Sequence, residues 1–136
     1  MPKLRKYEQK LFVACVEGQR EQDPEKKKWL KFRNNVESEN YIKNRVDRLF
    51  WKEKETIAWI RKFAEDSIFF DVGANIGIYC LYSAKIRKNT VYAFEPHMGN
   101  YTNLLDNINE NKLYNCQAFP LALGDKTNLT TLGVKN

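Results

Sequence analysis

The sequence predicts an α/β fold, a parallel sheet whose strands are joined by helices, and three observations carry that expectation. A short β-prone run, Ile68, Phe69 and Phe70, ends in the turn DVGANIG, Asp71 to Gly77. A helical pattern and a second apolar run, Val91 to Phe94, follow it, the order of a βαβ unit. A further helical pattern then leads to a third apolar stretch around Cys116 to Leu121. Parallel strands joined in this way imply right-handed crossovers and a doubly wound sheet.

Residues 1–66 read as a basic helical region that precedes this sheet. They hold 17 Lys and Arg against 12 Asp and Glu, whereas residues 67–136 hold 6 against 5, so the net charge of +6 is concentrated at the N-terminal end. Asp23, Pro24 and Glu25 have the character of a helix start: a side-chain cap, a proline suited to the first turn and an acid at the positive end of the dipole. Trp29, Phe32 and Val36 fall at helical spacing, as do Ile42, Val46 and Leu49, with a break expected near Ser38 to Asn40. Another helix is predicted from about Glu53 to Ala64, with Ile57, Ile60 and Phe63 on its apolar face.

Residues 67–136 read as a partial cofactor-binding domain. Its first strand is short and apolar, as a strand buried in a parallel sheet should be. The predicted helices run from Ile78 to Ile86 and from about Asn100 to Asn111, and the second strand is closed by Glu95 and Pro96.

Composition excludes several classes. A hydrophobic fraction of 43%, with 8 Phe, 7 Tyr and 3 Trp, is too high for a disordered tail. No run approaches the length of a membrane span, and Leu11 to Val16 is too short for the core of a signal peptide, so a cytoplasmic protein without membrane contact is expected. Cys15, Cys80 and Cys116 are odd in number and lack metal-ligand spacing, which predicts reduced, packed thiols and no metal site.

The chemistry is concentrated in the first turn and the end of the second strand. Gly73 and Gly77 flank a tight reversal where a ligand can approach the backbone, because glycine alone reaches the required dihedrals without steric cost. Glu95 stands where a carboxylate can accept hydrogen bonds from both hydroxyls of a ribose. A dinucleotide fingerprint would carry a second glycine where Asn75 stands, and Asp71 would repel a phosphate but suit a cationic amino-acid group. S-adenosylmethionine therefore fits better than NAD, and an NAD-dependent oxidoreductase is disfavoured. His97, the single histidine, is a candidate base whose simpler role is to cap the turn, and Asp125 can touch a cofactor or make a turn with Gly124.

DVGANIG, together with VYAFEPHMGNYTNLLDNINEN from Val91 to Asn111 and PLALGD from Pro120 to Asp125, resembles the FkbM-type methyltransferases over roughly Ile57 to Val134. The resemblance implies a Rossmann-like class I methyltransferase sheet. It also implies Asp71, Gly73, Ala74, Asn75 and Gly77 around the methionine end of S-adenosylmethionine, Glu95 on the ribose, and backbone at Ala122 and Leu123 beside the adenine. The expected reaction is methylation of a hydroxyl oxygen on a small-molecule or glycan acceptor, with no base assigned.

Such a sheet has about seven strands and a further DVEG-like segment, which does not occur before Asn136. An incomplete sheet of about three parallel strands is therefore expected, with one edge of its first strand unpaired and weak cofactor binding by the chain alone. An unpaired edge invites self-association or a partner chain that completes the sheet. Two other readings share these residues. One is a noncatalytic nucleoside-binding fragment. The other is an RNA methyltransferase whose basic segment, including Lys26, Lys27, Lys28, Lys31 and Arg33, docks on nucleic acid, a partner less favoured than a small molecule.

Overall fold

The computed structural model describes residues 10–15, 29–34, 44–45, 52 and 54–133. Two strands, β1 (Lys10–Cys15) and β2 (Trp29–Asn34), form an antiparallel pair in which Lys10 faces Asn34 and Cys15 faces Trp29. Helix α1 (Lys54–Ile60) follows. The remaining elements alternate: β3 (Ile68–Val72), α2 (Ile78–Ile86), β4 (Thr90–Phe94), α3 (Met98–Glu110) and β5 (Cys116–Phe119). Strands β3, β4 and β5 form a parallel sheet in that order.

The alternation expected from the sequence is therefore present, with boundaries shifted by a few residues. The helical reading of Trp29, Phe32 and Val36 is corrected, because residues 29–34 are a strand. Leu30 and Phe32 are fully buried while Lys31 and Arg33 are half-exposed, a period of two rather than 3.6. The run LFVAC, at Leu11 to Cys15, supplies the β-prone partner. The helix start at Asp23 and the stripe of Ile42, Val46 and Leu49 lie outside the described residues.

Registered pairing puts Phe69, Val91 and Cys116 side by side, and likewise Asp71, Ala93 and Ala118. This is the buried face of the sheet. Ile57 and Ile60 of α1, Leu81 and Ala84 of α2, Leu104 and Ile108 of α3, and Leu30 and Phe32 of β2 pack with it in one core. The opposite face carries Ile68, Phe70, Val72, Tyr92, Phe94 and Phe119. Phe70 stacks on Tyr92 at 5.5 Å and on Phe94 at 6.4 Å, and Phe94 stacks on Phe119 at 5.3 Å. No described helix covers this aromatic ladder, so the two-faced cover of a doubly wound sheet is not seen among the described residues.

Asparagine side chains close the polar gaps of this small core. Asn89 is wholly buried, donates to the Ala64 carbonyl at 2.8 Å and accepts from the Ser83 hydroxyl at 3.0 Å. Asn115 donates to the carbonyls of Ala84 and Asn89, which joins the end of α2 to the start of β4. Three of these bonds satisfy backbone carbonyls, and the fourth pairs the buried Ser83 hydroxyl. Among the described residues no helix is long and apolar enough to cross a membrane.

Candidate functional site

The C-terminal ends of the three parallel strands lie side by side, where open α/β sheets bind ligands. Alternation along β3 sends Asp71 to the helical side, and the chain then reverses through Val72 to Gly77. The reversal demands three residues with positive φ: Gly73 at +79°, Asn75 at +54° and Gly77 at +93°. Asparagine tolerates this region better than other side chains, so both glycines and Asn75 follow from the backbone path.

The two glycines serve different ends. A Cβ on Gly77 would stand 2.5 Å from Leu81 Cδ1 and 2.6 Å from Leu104 Cδ1, so this glycine lets the turn pack on α2 and α3. A Cβ on Gly73 would meet nothing within 4 Å. Gly73 thus presents bare backbone to an open space at the strand ends.

Two buried acids flank that space. Asp71 Oδ2 accepts from the Cys80 N–H at 3.0 Å, which places the carboxylate over the first turn of α2, where Gly77 has no side chain to cap with. Burial pushes the Asp71 carboxyl up from 3.8 to about 6; the Cys80 bond opposes this and the nearby Glu95 adds to it. A carboxyl held this way disfavours its own negative charge, and a cation placed beside it would relieve that penalty.

Glu95 is only 5% exposed. Its Oε2 accepts from the Asn75 N–H at 2.8 Å and its Oε1 from the His97 N–H at 2.8 Å. One carboxylate therefore ties the glycine turn after β3 to the turn after β4, with lone pairs left for further donors. Gly73 and Ala74 donate to the Phe94 carbonyl as well, at 2.9 and 3.0 Å, so the turn is pinned to the end of β4 at Phe94 as well as at Glu95.

His97 is the N-cap of α3, where its Nδ1 accepts from the Asn100 N–H at 3.3 Å. That capping role is the simpler of its two expected roles. Ala122 and Leu123 follow β5 in an exposed segment at the same end of the sheet, and Asp125 forms a bend with Lys126. The structure brings Asp71, Gly73, Ala74, Asn75, Gly77 and Glu95 into one cluster; no bond joins Ala122 or Leu123 to it.

Cys80 and Cys116 are free and buried, as packed thiols should be. Burial raises the Cys80 thiol well above its usual range, with neighbouring Cys116 contributing, which keeps it protonated and unreactive. Cys15 lies on β1.

The basic residues on β2 point elsewhere. Arg33 Nη2 pairs with Glu110 Oε2 at 2.6 Å and Lys31 Nζ lies 3.8 Å from Glu110 Oε1, at the C-terminal end of α3. Lys26, Lys27 and Lys28 lie outside the described residues.

Sequence reasoning missed the polar stripe of α3. Asn103, Asn107 and Asn111 are buried at a spacing of four residues, beside the apolar Leu104 and Ile108. Polar residues repeated on the inward face of an amphipathic helix were the available signal.

No family model matches the chain, and no curated protein matches it in sequence. Solved structures do resemble it. TYW2 of M. jannaschii, in complex with AdoMet, is 26% identical with a TM-score of 0.50, over 68% of this chain and 39% of that one. TYW2 of P. horikoshii, in complex with MeSAdo, is 27% identical with a TM-score of 0.46, over 50% of this chain and 26% of that one. Precorrin-6y C5,15-methyltransferase of Geobacter metallireducens is 13% identical with a TM-score of 0.47, over 52% and 37%. The first of these likenesses shows the fold, a Rossmann-like methyltransferase sheet, present here in part. The chain spans about two fifths of that relative's length.

Proposed function

We propose that the strand-end cluster binds S-adenosylmethionine and that the chain is the cofactor-binding part of a methyltransferase. The observation that carries this reading is the pairing of two buried carboxylates around a bare glycine turn: Asp71 at about 6 and Glu95 bridging the two turns. A phosphate-bearing cofactor would meet two acids there and, among the described residues of the cluster, no cation, whereas a cationic amino-acid group would stabilise the charged form of Asp71. Asn75 in place of a second glycine favours the same choice over a dinucleotide. The AdoMet complex of the M. jannaschii TYW2 structure supports it.

In this reading Glu95 accepts the ribose hydroxyls through its remaining lone pairs, Asp71 faces the amino-acid end, and the open space over Gly73 receives the ligand against the backbone. Ala122 and Leu123 border the adenine. The bound cofactor supplies an electrophilic methyl group, so the chain's task is to orient it and exclude water. The FkbM resemblance carries the finer proposal, methyl transfer to a hydroxyl oxygen of a small molecule or sugar, and the cytoplasmic location expected from the sequence is proposed with it. The division at residue 66, and self-association or a partner chain that completes the sheet, remain part of this proposal.

The test is an amide-resonance titration of the chain with S-adenosylhomocysteine, with NAD as the control. Shifts confined to residues 71–77, 95–97 and 122–123 with S-adenosylhomocysteine alone are the expected result. Shifts with NAD at lower concentration, or none with either ligand at millimolar concentration, would sink the assignment.

A further inference from the structure

The glycine turn is held from behind as well as from β4, and the residue that holds it belongs to neither adjoining strand. Asn107, on α3, is completely buried. Its Nδ2 donates to the Ile76 carbonyl at 2.8 Å, inside the turn and next to Gly77. Its Oδ1 accepts from the Arg33 N–H at 2.6 Å, on β2. One side-chain amide thus joins the turn to a strand 43 positions earlier in the chain, using both its donor and its acceptor.

Asn111, one helical turn further on, makes a similar connection that stops short of the site. Its Oδ1 accepts from the Lys31 N–H at 3.0 Å and its Nδ2 donates to the Lys31 carbonyl at 2.6 Å, so its amide imitates a neighbouring strand. It also donates to the Asn107 carbonyl at 2.8 Å, but no bond from its side chain reaches residues 73–77. The two asparagines therefore seat the same strand, and only one of them touches the turn.

We infer that Asn107 is a positioning residue of the cofactor site: through the Ile76 carbonyl it fixes the glycine turn, and through Arg33 it makes the seating of β2 part of the same unit. The physical case is accounting. The Ile76 carbonyl and the Arg33 N–H both bond an amide that is wholly buried, so each is paired through Asn107. A turn with three positive-φ residues in five is stabilised only where its surroundings determine it, and Asn107 supplies one of its three anchors beside Glu95 and the Phe94 carbonyl. The inference rests on the proposed cofactor reading only for its functional consequence; the mechanical link stands on these bonds.

The experiment measures amide hydrogen exchange in the full chain without ligand, at Asn75 and Gly77, whose N–H groups donate to Glu95 and to the Ala74 carbonyl. Asn107→Leu should raise exchange at both by about tenfold or more while Val91, in the centre of the sheet, changes little. Asn107→Asp keeps the acceptor for Arg33 but loses the donor to Ile76, and should do the same. Asn111→Leu loosens β2 equally and should leave the turn within about threefold of wild type. Equal effects of the leucine variants, or loss of protection throughout the sheet in both Asn107 variants, would make Asn107 an ordinary core residue and overturn the inference. S-adenosylhomocysteine affinity, read alongside, should fall about tenfold in Asn107→Leu. A wild-type chain that binds none refutes the cofactor reading and leaves the exchange result to judge Asn107.

Discussion

Glu95→Gln is the substitution that asks most of the proposed site, because it changes one atom type and leaves the volume alone. In the wild-type chain two backbone N–H groups, of Asn75 and His97, each donate to one carboxylate oxygen at 2.8 Å. Glutamine offers one oxygen and one NH2, so one of those donors must face another donor. Leaving a buried N–H without a partner costs about 1–3 kcal/mol, and the surviving bond loses its charge assistance, about 1 kcal/mol more. Asn75 is partly exposed and water can reach part of this turn, so the lower end applies, about 2 kcal/mol. That corresponds to a fall in Tm of about 8 °C for a domain of this size. Urea denaturation followed by circular dichroism measures it, with Glu110→Gln as a control that removes the half-exposed pairs to Arg33 and Lys31 and should cost at most about 1 kcal/mol. A Glu95→Gln chain within about 0.5 kcal/mol of wild type would refute the claim that this carboxylate organises the two turns. Separately, its affinity for S-adenosylhomocysteine should weaken by about 1–3 kcal/mol, and unchanged affinity would remove Glu95 from the ribose.

Asp71 gives a prediction with a definite sign. Its carboxyl is raised from 3.8 to about 6 in the folded chain, so the folded state holds the proton more tightly and stability falls as pH rises from about 4 to about 6, then levels. Asp71→Asn keeps an oxygen for the Cys80 N–H and removes the charge; it should gain up to about 3 kcal/mol over wild type at pH 7 and nothing at pH 4, while losing cofactor affinity. Urea midpoints measured across that range would contradict the account if the two chains ran parallel. The two glycines should separate stability from binding. Gly77→Ala combines a positive φ with Leu81 and Leu104 at 2.5 and 2.6 Å and should destabilise by about 2–4 kcal/mol. Gly73→Ala bears the φ penalty alone, about 1 kcal/mol, yet should weaken S-adenosylhomocysteine more than its stability loss suggests; the reverse ordering in calorimetry and denaturation would be incompatible with a ligand lying over Gly73. Leu104→Ala, at a fully buried position of α3 that faces Gly77 of the turn, should cost about 2–5 kcal/mol in the same denaturation assay, and a loss below 1 kcal/mol would show that α3 is not seated there.

The parallel sheet and its first turn were legible because both signals are local. An apolar run, two glycines four residues apart and an acid at the next strand end are enough to place β3, β4 and Glu95. β2 was misread for an equally local reason: Trp29 and Phe32 suit a helical stripe, while Leu30 and Phe32 suit a strand, and six residues cannot separate the two periods. What decided between them was the partner strand β1 and the edge offered by Asn107 and Asn111, both distant in sequence. The role of Asn107 was illegible for the same reason, since an asparagine on a helix gives no sign that a strand edge and a turn will arrive on either side of its amide. The raised carboxyl of Asp71 likewise depends on packing, here the burial of β3 beneath α2.

The aromatic ladder on the far face of the sheet has a consequence for how this sequence drifts over evolutionary time. Ile68, Phe70 and Val72 are each about 60% exposed among the described residues, on the same strand that buries Phe69 and Asp71. Water alone exerts no selection to keep three large apolar side chains in a row, and mutation would soon scatter serine, lysine and glutamate among them. In an alignment of near relatives, polar drift at these alternate positions would mark a face that meets solvent throughout the protein's life, and persistent phenylalanine, isoleucine and valine would mark one that spends it against something dry.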